Sequence, residues 1–119
     1  MFVQVNTDNN VEGREELSRR VEAKLRRALH RFGTAVTAVE VHIGDDNAAK
    51  PGESDKRCLI EVRLANRNPE AAQHNGATIE EALRGASLKI RRRLNSAIGR
   101  ISNKKGAPSI RKPGTMQDS

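Results

Sequence analysis

Residues 78–101, TIEEALRGASLKIRRRLNSAIGRI, carry the clearest helical pattern in the chain. Thr78 can cap a helix, and Glu81 three residues later completes a capping box. Apolar side chains then recur at spacings of three and four, and at about 100° per residue they form one stripe. The stripe consists of Ile79, Leu83, Ala86, Ile90, Leu94 and Ala97. This pattern predicts a helix that packs its apolar side against another layer of the fold.

The charge of the chain is concentrated in its last third. Residues 1–81 hold 12 Lys and Arg against 14 Asp and Glu, whereas residues 82–119 hold 10 against 1. The net charge is +7 and the isoelectric point is about 10.3. A pI above about 9 with clustered cations is typical of nucleic-acid-binding proteins. The simpler alternative is a solvated charged helix followed by a basic tail.

The first part of the chain predicts a strand and then a second amphipathic helix. Residues 2–7, FVQVNT, alternate between apolar and polar side chains, as a half-buried strand does. Asn and Asp after them favour a helix that begins near residues 10–13, with acidic side chains in its first turns. We expect this helix to run to about Phe32, where Gly33 provides a stop signal. Its polar side carries Arg19, Arg20, Lys24, Arg27, His30 and Arg31.

Three further strands follow. We predict strands over residues 35–44, 55–65 and 70–75, separated by a loop over 45–54 and a turn over 66–69. The short connections favour antiparallel neighbours, whereas the helical crossover makes the first two strands parallel. The apolar stripes of both helices must be buried, and one face of the sheet is the surface against which they can pack. The predicted fold is an α+β two-layer sandwich, β-α-β-β-β-α, with a four-stranded mixed sheet and two helices on one face.

The domain is predicted to span residues 1–101. Residues 102–119 contain Pro and Gly without periodicity and read as a flexible basic tail. The start, MFVQVNTDNN, lacks the pattern of a signal peptide, and no apolar run is long enough to span a membrane, which favours a cytoplasmic protein.

Catalytic and metal-binding chemistry have little support in the sequence. Cys58, the only cysteine, alternates with apolar residues in a predicted strand and is expected to be a buried hydrophobe. His30, His42 and His74 fall in three predicted elements without ligand spacing. We therefore expect no enzyme activity, cofactor or metal; a small enzyme that uses His42 or His74 is the weaker alternative.

Nucleic-acid binding is the better account of the cations. A protein that binds unpaired bases needs aromatic stacking platforms, and this chain has no Trp or Tyr and only two Phe. Lys and Arg on helices suit the phosphates of structured RNA or DNA.

Several local patterns resemble the ribosome hibernation-promoting factors, also called ribosome-associated inhibitor or sigma-54 modulation proteins. FVQVNTDNNVEGREEL is similar to the opening strand and helix entry of that family, VTAVEVHIGD to its second strand, and ATIEEALRGASLKIRRRL to its closing helix. The resemblance covers residues 1 to about 98. It implies a fold akin to double-stranded-RNA-binding domains. It also implies binding to the small ribosomal subunit and its rRNA, block of the mRNA and tRNA sites, and silencing of translation in stationary phase or stress.

The resemblance also implies which residues contact RNA. Lys24, Lys89 and Arg92 match positions where the family carries cationic RNA contacts. The charged helix faces add four further candidates, namely Arg20, Arg27, Arg31 and Arg93. Arg91 receives no role, because helical geometry puts it near the edge of the buried stripe.

Long members of this family also carry a C-terminal dimerisation domain, and the tail here is too short and too polar for it, so we expect a short family member. We accordingly expect a monomer off the ribosome. The leading alternative is a general RNA- or DNA-binding module that is not specific to ribosomes.

Overall fold

Alternating apolar side chains build the sheet. The computed structural model describes residues 1–8, 13–45 and 56–106, with side chains through residue 99. The strands are β1 (Phe2–Thr7), β2 (Val36–Asp45), β3 (Lys56–Leu64) and β4 (Arg67–Gly76). The order is β1-β2-β3-β4, with β1 parallel to β2 and the other neighbours antiparallel. The predicted mixed four-stranded sheet is confirmed.

Two helices cover one face of this sheet, also as predicted. They are α1 (Arg14–Leu29) and α2 (Ile79–Gly106). Their apolar stripes meet the inward side chains of β2 and β3, and the core contains no fully buried aromatic residue among those described. The largest fully buried side chains are Leu25, Leu29, Ile60, Ile90, Leu94, Val21, Val39, Val41, Val62 and Cys58. An aliphatic core between helices and sheet therefore holds the domain together.

The first helix ends earlier than the sequence predicts. α1 stops at Leu29, and a 3-10 helix over His30–Ala35 leads into β2. Gly33, the predicted stop, lies inside that turn with φ 58° and ψ −136°, a conformation that essentially only glycine adopts. The predicted end at Phe32 was wrong because a 3-10 turn, not a longer α-helix, closes the crossover. Of the helix start predicted near residues 10–13, residues 10–12 lie outside the described part of the chain, as does most of the predicted 45–54 loop.

The turn before β4 is also shorter than predicted. Ala65 and Asn66 alone connect β3 to β4, and Asn66 has a positive φ of 62°, which Asn tolerates better than most residues. β4 then begins at Arg67 and includes Pro69. Since β4 is an edge strand, the missing N–H of Pro69 can lie on the side without a neighbouring strand.

The capping box of α2 is present. The Glu81 N–H donates to Thr78 Oγ1 at 3.1 Å, and Glu81 Oε1 accepts from the Ala77 N–H at 3.0 Å. The helix continues through Gly106, so residues 102–106 of the predicted tail are helical. Residues 107–119 lie outside the described part of the chain.

Cys58 is buried, as its alternation with Ile60 and Val62 predicts. Its side chain is fully inaccessible, and burial raises the pKa of its thiol from 9.0 to about 12. At neutral pH the thiol is therefore protonated and a poor nucleophile.

Candidate nucleic-acid interface

The two helices run in the same direction across the sheet. α2 is antiparallel to β4, since Lys89 reaches the backbone of Gln73 while Arg67, earlier in the strand, donates to the Ala97 carbonyl farther along the helix. α1 is antiparallel to β1, because the crossover returns the chain to a strand parallel with β1. As β4 is parallel to β2 through two antiparallel pairings, α1 and α2 share one direction.

An open groove separates the helices, and we call it the interhelical groove. It is lined on the α1 side by Leu17, Arg20, Val21, Ala23, Lys24 and Arg27, and on the α2 side by Ile79, Glu80 and Leu83. Its floor is apolar and its α1 wall is cationic. The helices are joined across it by an ion pair, in which Arg20 donates to Glu80 at 3.2 Å. Both partners are more than half exposed, so this pair adds at most about 1 kcal/mol to stability.

The predicted cations of the first helix lie together. Arg20, Lys24 and Arg27 line the interhelical groove, and Arg31 follows one turn later in the 3-10 helix. The Arg31 guanidinium lies 5.3 Å from the centroid of the Phe32 ring, close enough for a cation–π contact. Within the described residues, Lys24 and Arg27 make no ion pair or hydrogen bond, so their charges are available to an anion.

The predicted cations of α2 lie apart from this group. Lys89 donates to the Gln73 carbonyl at 3.0 Å, which places it on the flank of α2 that faces β4. Arg93, one turn later, continues that flank, while Arg92 lies on the outer side of the helix. Three of the seven predicted residues therefore line the groove, and Arg31 follows beyond the end of α1. Two lie on the β4 flank, and Arg92 lies on the outer surface of α2.

Two cations without a predicted role lie on the groove side of α2. Arg84 and Arg91 follow Glu80 by four and eleven residues, and eleven residues are three turns plus about 20°. Helical spacing therefore puts both arginines on the same flank of α2 as Glu80, which contacts α1, although neither lines the groove. Both are exposed. Sequence periodicity alone could not select them, since it does not say on which side of α2 the first helix lies.

The open face of the sheet has a different chemistry. Glu40 and Glu61 lie directly opposite each other on β2 and β3, with His42 Nε2 3.8 Å from Glu40 Oε2 and 3.2 Å from Glu61 Oε1. Asn6 Nδ2 donates to Glu40 Oε2 at 3.0 Å. In the described part of the chain, these three side chains form the group whose ligand-type atoms, one from each residue, all lie within 4.8 Å of one another. All three are a third to a half exposed, as in a solvated charge cluster.

The other histidines lie elsewhere. His30 is exposed at the end of α1, and His74 packs from β4 against Gly85 of α2. No described helix has the length and hydrophobicity to cross a membrane.

Fold and charge define the class of the protein: a small α+β domain with a mixed sheet, two helices on one face and most of its cations on the helical side. A family model described as "Sigma 54 modulation protein / S30EA ribosomal protein" matches residues 3–102. The chain belongs to this family, as its sequence patterns predict. A search of curated protein sequences finds no match.

Two solved structures have a similar fold. The N-terminal domain of Protein Y from Thermus thermophilus has a TM-score of 0.64 at 18% identity, covering 81% of this chain and 98% of that one. A ribosomal subunit interface protein from Coxiella burnetii has a TM-score of 0.63 at 14% identity, covering 83% of this chain and 99% of that one. At these identities the likeness concerns the fold.

Proposed function

We propose that this protein is a ribosome hibernation factor that binds the small ribosomal subunit through rRNA and blocks the mRNA and tRNA sites. It would inhibit translation in the cytoplasm under stress or in stationary phase, without enzymatic chemistry or a cofactor, and as a monomer when off the ribosome. Membership of a ribosome-associated family supports the ribosomal partner. The description of the Coxiella burnetii protein as a subunit interface protein agrees with it.

The observation that carries the proposal is the distribution of charge over the two faces. On the helical side the cationic side chains outnumber the acidic ones, whereas the open sheet face carries the Glu40, His42 and Glu61 cluster. A polyanion is attracted to the first face, and the two carboxylates of the second face make that face less favourable for it. The open face also offers no series of aromatic platforms for stacked bases, since Phe2 is the single Phe, Tyr or Trp side chain on the described strands.

The proposed RNA contacts are those that the sequence selects. They are Arg20, Lys24, Arg27, Arg31, Lys89, Arg92 and Arg93. Arg20 and Lys89 already hold intramolecular partners, and a phosphate would compete with Glu80 for the first and with the Gln73 carbonyl for the second. Such contacts position a protein on structured RNA without reading its sequence.

Sedimentation through a sucrose gradient tests this function. The purified chain is expected to travel with small ribosomal subunits at 50 mM salt and to remain at the top at about 500 mM, because each neutralised phosphate releases counterions. Subunits loaded beforehand with mRNA and tRNA should bind less of it. A chain that stays at the top with empty subunits at low salt would overturn the proposal. Equal binding to random duplex DNA would instead favour the general nucleic-acid-binding module.

A further inference from the structure

Two carboxylates face each other across neighbouring strands on the open side of the sheet. Glu40 on β2 and Glu61 on β3 are direct partners in the sheet register. Like charges in such positions repel each other and destabilise a sheet. His42 follows Glu40 by two residues, so its side chain leaves the same face of β2 and reaches Glu61 diagonally. We call these three residues the open-face cluster.

The spacing of the ligand-type atoms in the open-face cluster is close to that of a metal site. His42 Nε2 lies 3.2 Å from Glu61 Oε1 and 3.8 Å from Glu40 Oε2. Metal–ligand bonds of about 2.0–2.2 Å in tetrahedral geometry put neighbouring ligand atoms about 3.3–3.6 Å apart. The two distances from His42 bracket this range. Small rotations of the glutamate side chains would therefore bring all three ligands to bonding distance of one ion.

The neighbouring strand β1 orients one of the two carboxylates. Asn6 is the partner of His42 in the parallel β1–β2 register, and its Nδ2 donates to Glu40 Oε2 at 3.0 Å. Gln4 Nε2 donates in turn to Asn6 Oδ1 at 3.2 Å. A carboxylate oxygen that accepts one hydrogen bond still has a lone pair for a metal. Asn6 therefore occupies the position of an outer group that orients a metal ligand.

We propose that the open-face cluster binds a divalent metal ion of the Zn²⁺ type through His42 Nε2 and one oxygen each of Glu40 and Glu61. Zn²⁺ accepts imidazole and carboxylate together, whereas Mg²⁺ and Ca²⁺ prefer oxygen ligands alone. The three side chains are 36%, 43% and 49% exposed, so water can reach the remaining coordination position. The ion neutralises the facing carboxylates and links β2 to β3.

The ligands come from two strands, which explains why the spacing of histidines in the sequence does not indicate them. Nineteen residues separate His42 from Glu61, and the β2–β3 register brings them together. The open-face cluster lies on the opposite side of the sheet from the helices. Metal binding is therefore independent of the proposed contacts with rRNA, and either proposal can fail without the other.

Titration calorimetry of the purified, untagged full chain with ZnCl₂ tests the site. We expect the parent to bind one Zn²⁺ ion at this site, and His42→Gln and Glu61→Gln each to lose it. Asn6→Ala should weaken the affinity by about 10–100-fold, because it removes the group that orients a ligand. Co²⁺ serves as a spectroscopic probe, and its visible absorption should change on binding to the parent but not to His42→Gln.

Two control variants leave the three ligands intact. Glu70→Gln removes the same charge as Glu61→Gln from a residue that lines the same hollow of the open face. His30→Gln removes an exposed histidine at the end of α1. Both should bind Zn²⁺ as the parent does. Equal losses in the control and ligand variants would overturn the proposal, since binding would then not depend on the open-face cluster.

Urea unfolding gives a second measurement that does not rely on the heat of binding. Zn²⁺ should raise the unfolding midpoint of the parent, because the three ligands converge in the folded chain. The midpoint of His42→Gln should not respond to Zn²⁺, and in the absence of metal it shows whether this variant folds. A parent chain that binds no Zn²⁺, or a midpoint that rises equally in His42→Gln, would overturn the proposal.

Discussion

Replacing both Lys24 and Arg27 by glutamate is expected to weaken binding to small ribosomal subunits by at least about 100-fold. Each charged contact to a phosphate contributes about 1.5–3 kcal/mol, and each reversal adds repulsion to the loss. Two such losses amount to at least about 3 kcal/mol, and about 1.4 kcal/mol corresponds to a factor of ten. Gradient sedimentation or filter binding at 100 mM salt measures the effect.

The fold of this variant should be preserved. Neither side chain makes an ion pair or hydrogen bond within the described residues, so circular dichroism and the midpoint of denaturant unfolding should match the parent. The Arg19→Glu, Arg63→Glu variant, with the same change in net charge outside the groove, should lose less than about tenfold. Equal losses in the two variants would show that net charge, and not the groove, determines binding.

Gly85→Ala is expected to lower the free energy of unfolding by up to about 2 kcal/mol, although alanine is the better helix former. A Cβ at Gly85 would overlap Cγ and Cδ2 of His74, which packs against the helix from β4. Overpacking of this kind costs about 1–3 kcal/mol, against a gain of about 1 kcal/mol in helix propensity. Urea unfolding followed by circular dichroism measures the difference.

Gly99 provides the matched control in the same helix. No atom of the described residues lies within 4 Å of a Cβ built there, so Gly99→Ala should raise the free energy of unfolding by about 0.5–1 kcal/mol. In a His74→Ala background, Gly85→Ala should become stabilising as well, because the ring that it displaces is gone. A stabilising Gly85→Ala in the parent chain would contradict the close packing of α2 on β4.

The fold was predictable because its main elements each bury one face. The alternation of Cys58, Ile60 and Val62 and the stripe of α2 have different periods, so strand and helix could not be confused. The ends of the helices and strands were harder to predict. Gly33 predicts a stop but not the 3-10 turn around it, and Pro69 argues for a turn until β4 is known to be an edge strand.

The sequence predicts which residues of the candidate site are charged, but not how those residues are arranged in space. Composition identifies the cationic residues, and helical spacing separates them from the buried stripe. Which flank of α2 faces α1 depends on sheet order and on the Glu80 contact with Arg20, neither of which follows from local pattern. The structure places Lys89 on the flank of α2 that faces β4, which the sequence alone does not predict.

Directed cleavage of rRNA tests most directly whether the helical side faces the ribosome. An iron chelate that generates hydroxyl radicals is attached to Ala23→Cys beside the interhelical groove or to Ala71→Cys on the open sheet face, both exposed positions. The buried Cys58 does not react in the folded chain. Strong cleavage of small-subunit rRNA from Ala23→Cys and weak cleavage from Ala71→Cys is the predicted result. Equal cleavage from both positions, or stronger cleavage from Ala71→Cys, would contradict it.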